Sequence, residues 1–279
     1  MIWLGHTTLL MEDCEDAWNE SVHGSVTSTV NASDYLVGSN SASLTLTAPI
    51  ASGNLLATEV VSLDLSTYTH MVLMIKASVN QAAGALVFCL DEDASCASPS
   101  ESLALPALVA NQWTACPLTF AAAASTRNAT ISVGLKTGAT VANGTVILID
   151  DVRAMTARQF NPLAVRGLNR PDDVLHSKAK VSELIDGDMY ETVPVKSRRI
   201  ITLEFNALSS QTDQAWLEAF MRKSDKRIIG ANDCVRVVCH DAGGYTQDWL
   251  NGVSLGRRPV LKFVEKSGWS TQPPSWGYA

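Results

Sequence analysis

Basic residues are scarce in the first 155 positions of this 279-residue chain, where Lys76, Arg127, Lys136 and Arg153 stand against 14 Asp and Glu. A net charge of −10 over that stretch repels phosphate backbones and argues against a nucleic-acid-binding face there. Residues 156–279 carry 17 Lys and Arg against 14 acids, a net of +3, which is well short of a clustered basic footprint. No run approaches the roughly 18 apolar residues that a membrane helix needs, so no membrane insertion is expected. The opening MIWLGHTTLLMEDCEDAW has no basic region and no long apolar core, and so is not expected to be a secretory signal.

Chemistry-bearing motifs are missing too. The five histidines are scattered, and HExxH, GxSxG and GxxxxGK[ST] do not occur. Six cysteines are too few to staple a chain of this length, and none is spaced as CxxC. Cys89 and Cys96 flank an acidic turn and would bridge a hairpin if oxidised. The plainer reading is free thiols packed as small hydrophobes. Fourteen carboxylates in one half make a pair at glycosidase spacing almost unavoidable by chance, so no enzyme is predicted from them.

What is present is strand pattern. TVILIDDVRAM (Thr145 to Met155) opens on a β-branched run and stops on two carboxylates, Asp150 and Asp151. Before it, SASLTLTA, THMVLMIKAS, GALVFCLDED, NQWTACPLTF and NATISVGLKTG recur as strands separated by Gly, Ser, Asn and Asp, with no helical period between residues 20 and 155. This predicts an antiparallel jelly roll or sandwich over 1–155. A linker-like AMTARQFNPLAVRGLNRPDD follows, broken by Pro162 and Pro171. Further strands are predicted at AKVSELI, MYETVPV, SRRIITLEFNAL, CVRVVCH and RPVLKFVEK. One helix is predicted in SSQTDQAWLEAFMRKSDKR, with Ser210 and Asp213 as a capping pair. Trp216, Leu217, Phe220 and Met221 share a face, and Lys223, Lys226 and Arg227 sit at its end. The predicted class is mainly β: a sandwich at 1–155, a small β-barrel or sandwich with one helix at 156–266, and an aromatic-bearing arm at 267–279.

Candidate sites follow from this layout. Acids at both ends of the first domain, Asp13 and Glu15 against Asp150, offer the oxygen ligands of a structural calcium if the first and last strands are neighbours. The alternative is solvated turn carboxylates. Trp18 and Trp113 fall at inward strand positions and read as core. Tyr68, in a turn, is the best candidate for an exposed glycan contact. Trp269 and Trp276 in the terminal arm are candidate interface anchors.

The acidic opening DCEDAW, then DLSTYTHMVLMIKAS, LALPALVANQWTACPLTF, NATISVGL and the closing VILIDDVRA resemble jelly-roll modules of the carbohydrate-binding or galactose-binding-like type. Versions of these occur on structural proteins of tailed bacteriophages. The resemblance spans about 11–155. It implies a sandwich and a calcium near the first and last strands, with Asp13, Glu15 and Asp150 at the matching positions. The chain departs from it in lacking a row of exposed aromatics. RRIITLEFNALS followed by DQAWLEAFMRK is similar to the sandwich-plus-helix domains of phage tail tubes and distal tail proteins. Together these imply a non-enzymatic virion protein of a tail or baseplate, made in the host cytoplasm. It would be a ring-forming homo-oligomer (hexamer or trimer) that meets other tail proteins and displays a module toward host surface glycan. The alternative is a lectin-like accessory protein outside any virion.

Overall fold

The computed structural model describes residues 2–160 and, beyond them, 164–166, 174–175, 180–183, 189–192, 198–204, 211–223, 225–229, 234–239 and 260–265. Its strands begin with β1 (Ile2–Glu12), β2 (Ser21–Val22), β3 (Val26–Asn31), β4 (Ser41–Leu46), β5 (Leu55–Leu63) and β6 (His70–Ala77). They continue with β7 (Leu86–Asp91), β8 (Glu101–Ala104), β9 (Thr114–Thr119), β10 (Thr130–Thr137) and β11 (Val146–Phe160). Then come β12 (Ala164–Arg166), β13 (Val174–Leu175), β14 (Lys180–Glu183), β15 (Met189–Thr192), β16 (Arg198–Glu204), helix α1 (Gln211–Arg222), β17 (Lys226–Ile229), β18 (Cys234–Cys239) and β19 (Val260–Glu265). The linker prolines, Ser210 and the arm with Trp269 and Trp276 lie outside the described residues.

Two sheets close on the larger core. One has the order β2-β5-β10-β7-β8. The other runs β12-β16-β19-β18-β17-β1-β11-β4-β3, with β6 added along β11 and β9 along β6. Trp18, Leu44, Leu56, Phe88, Leu135 and Ile147 are buried between them. Trp18 meets Phe88 edge-on at 6.2 Å. The chain is thus mainly β, with a sandwich in its first half. Strands β16 to β19 extend the long sheet, and no closed barrel forms among the described residues.

The expected linker at Ala154 is instead strand, because β11 continues to Phe160. Along one edge β11 pairs first with β4, Val146 to Ile149, and then with β1, Val152 to Phe160. β1 pairs on its far edge with β17, Trp3 with Ile229 and Leu4 with Ile228. A second core therefore gathers Ile2 and Leu4 from the start of the chain, Phe160 from β11, Leu203, and Leu217 and Phe220 of α1. The helix face predicted from 3.6-residue spacing is the face that packs, with Trp216 and Met221 flanking it. The helix itself stops at Arg222. Lys226 and Arg227, expected at its basic end, are buried strand residues of β17.

Candidate functional site

The point where β11 changes neighbour is built from carboxylates. A register shift falls between Asp150 and Arg153, and Asp151 has φ 48°, a left-handed conformation. The shift re-phases the strand: Ile147 and Ile149 face the main core before it, Val152 and Ala154 after it. Asp150 is fully buried, and its Oδ2 accepts the N–H groups of Leu36 at 2.6 Å and Val37 at 3.0 Å. Its Oδ1 is buried with no hydrogen-bond partner. Burial pushes its pKa up to about 7 against those two hydrogen bonds. Asp151 accepts Arg153 Nε at 2.6 Å.

Glu15 grips the same 36–40 loop from the other side. It accepts Ser39 N–H at 2.8 Å and Ser39 Oγ–H at 2.6 Å, and these bonds hold its pKa low. Gly38, with φ +71°, leaves the room: a Cβ there would lie 1.6 Å from Glu15 Oε1. So two of the three expected ligands, Glu15 from the turn after β1 and Asp150 from β11, meet one loop. Asp13 accepts Glu15 N–H at 3.2 Å, and its carboxylate faces Glu12 and Asp16, all three having oxygens within 4.8 Å of one another. Neither Glu15 nor Asp150 belongs to that group of converging carboxylates.

A groove of about 780 Å³ lies between the β1–β17 pair, β9 and the segments at 83–84 and 104–109. It is lined by Trp3, Pro106, Gln112, Thr114, Pro117 and Ile229, among others. Trp3 is half-buried, and its ring meets that of His70 edge-on at 4.9 Å. Beside it a third apolar cluster of Val72, Met74, Ala115, Met155, Ala157 and Ile229 is packed by Leu36 and Trp113. Trp113 is therefore not in the sandwich core. Strand alternation puts Cys116, Leu118 and Phe120 inward and Trp113 on the outer face, where its Nε1 donates to Asp34 Oδ1 at 2.9 Å. Trp18 is core, as expected. Tyr68 is half-buried against the main core rather than freely exposed. Cys89 and Cys96 are buried free thiols, with the Cys96 Sγ 3.0 Å from Ser132 Oγ.

Sequence reasoning missed Trp3 and the 34–40 loop, which depend on pairings between distant segments and left no trace.

No family model matches the sequence, and no curated protein does. Solved structures do, over about half of the chain, and among them are carbohydrate-binding modules. The family 11 carbohydrate-binding module of the cellulosomal cellulase Lic26A-Cel5E of Clostridium thermocellum is similar at 13% identity and TM-score 0.38, covering 56% of this chain and 98% of that one. The CBM22-1 xylan-binding domain of Paenibacillus barcinonensis Xyn10C is similar at 14% and 0.34, covering 54% and 96%. The family 30 module of C. thermocellum Cel9D-Cel44B is similar at 9% and 0.33, covering 54% and 98%.

Proposed function

We propose that this chain is a non-catalytic glycan-binding β-sandwich protein that binds through the Trp3 groove. The observation that supports this is the composition of the groove: a pinned, half-buried indole and two prolines beside the polar side chains of Gln112 and Thr114. A sugar ring offers C–H faces that pack on aromatic and proline surfaces, and hydroxyls that need a few convergent polar partners. The volume falls in the usual range for small-molecule sites.

The test is a glycan array followed by calorimetry with any hit. Trp3→Ala is expected to weaken binding by about tenfold or more, the loss of one well-packed aromatic contact. Gln112→Ala should weaken it less. Loss on Tyr68→Phe with Trp3→Ala silent would move the site to the β5–β6 turn. No binding to any glycan sinks the reading.

A structural calcium at Asp13, Glu15 and Asp150, as the resemblance implies, would show as a higher Tm with calcium than with chelator. A second reading is a virion assembly subunit of a tail or baseplate, which would form a closed oligomer. Light scattering separates the readings: a closed oligomer without glycan binding supports assembly, and a monomer with glycan binding supports the first.

A further inference from the structure

We propose that two copies of this chain join through the free edges of β3, antiparallel about a two-fold axis, with Ser28 opposite Ser28 of the second copy. β3 ends the long sheet, and among the described residues no strand pairs with its outer edge. Its ladder with β4 runs without a bulge from Val26–Leu46 to Asn31–Ser41. Edge strands are ordinarily blunted by brevity, proline or charge. β2 has two residues and β12 three, β9 carries Pro117, and β8 carries Glu101. β3, with the sequence VTSTVN, has none of these guards.

The phase of the hydrogen bonds decides the register. Thr47 N–H donates to the Ser25 carbonyl and Leu46 N–H to the Thr145 carbonyl, both at 2.9 Å. Bonded pairs alternate along an antiparallel ladder, so Thr27, Thr29 and Asn31 turn their peptide groups toward β4. Val26, Ser28 and Val30 turn theirs outward. Two such edges bond only where outward residues meet, and centring on Ser28 sets Val30 against Val26 of the second copy. Val26 N–H is taken by the His23 carbonyl at 2.8 Å, so that pair uses the Val26 carbonyl alone.

The side chains agree with this register. Ser28 and Val30 lie opposite Leu44 and Ala42 of β4, on the core side. Ser28 Oγ is buried with no hydrogen-bond partner, and across the two-fold axis it meets its own counterpart, one hydroxyl donating to the other. Val30, 45% exposed, gains cover from Val26 of the second copy. Charge permits the approach. From Ser21 to Thr58 the one Asp, Glu, Lys or Arg is Asp34, and Lys76 Nζ holds it at 2.6 Å. A lone strand pair buries less than the roughly 800 Å² per partner of a standard interface, so the dimer depends on concentration. The pairing rests on neither functional reading, since the Trp3 groove takes no residue from β3.

The experiment is sedimentation of the full-length protein from low to several hundred micromolar, where the mass should rise toward two protomers. Two double variants test the register, both at exposed positions. Thr27→Lys with Thr29→Lys sets like charges directly opposite at two places, and should weaken dimerisation by about tenfold or more. Thr27→Lys with Thr29→Glu sets opposite charges at the same places, and should stay within about threefold of wild type. A wild-type mass of one protomer at every concentration overturns the proposal. So does association unchanged in the first variant, or lost equally in the second.

Discussion

His70 is a neutral imidazole held under the edge of Trp3, and burial lowers its pKa to about 4. The unfolded chain binds a proton near the ordinary histidine value of 6.5. Its contribution to stability is therefore complete above that value and is lost as pH falls toward about 4, at up to about 1.4 kcal/mol per pH unit. Thermal melts between pH 7 and about 5 should show a falling Tm, and His70→Gln should flatten that slope. An unchanged slope would remove His70 from the account. The buried pair Arg127–Glu101 at 3.8 Å sits in the same region of the sandwich. Glu101 also accepts the N–H groups of Ala121 and Ala122 at 3.0 and 2.8 Å. Arg127 lies 4.5 Å over the Phe120 ring and donates to the Tyr68 carbonyl. Glu101→Ala leaves a buried guanidinium without its counter-charge and two amides without acceptors, and should cost about 3–5 kcal/mol in chemical denaturation. Glu101→Gln, which keeps an acceptor, should cost less. Burial pushes the Cys89 and Cys116 thiols up to about 12, so native protein should resist thiol reagents at neutral pH and react only when unfolded.

At the scale of elements, strands with clean alternation or β-branched runs were legible: β4, β6, β7, β9, β10 and the first part of β11. So was the packing face of α1. β5 was not, because Thr58 and Glu59 are buried amid its apolar residues and erase the alternation. β17 was not either: Lys226 and Arg227 look like the basic end of a helix, and only their pairing with β1 shows otherwise. The bulge at Asp150–Asp151 explains a further mismatch. A strand read with one uniform period puts 151 and 153 inward, whereas Val152 and Ala154 are the core residues. Asp13, Glu15 and Asp150 could be picked from the sequence as candidate ligands, but the 36–40 loop that Glu15 and Asp150 both bind comes to them only through folding. Leu4 tests the shared strand: Leu4→Ala should cost about 2–5 kcal/mol although it lies in the first turn of sequence, because it fills the helix-bearing core.

At the scale of the molecule, the break in charge at residue 155 coincides with a change of core, but the chain does not separate there. Residues 2–6 belong with the second core and 7–155 with the first, through strands common to both. A fragment ending at 155 should expose Ile2 and Leu4 and be less soluble than one spanning 7–155, as size-exclusion chromatography would show. Equal behaviour of the two fragments would mean that the second core adds nothing to β1.

The groove inherits this arrangement. Trp3 and Ile229 reach it from the β1–β17 pair, while Pro106, Gln112 and Pro117 come from the sandwich. Any ligand seated there touches both sides of the seam and acts as a splint. Occupancy would then be felt beyond the groove, as slower amide exchange in β17 as well as β9, even though the two strands share no hydrogen bond.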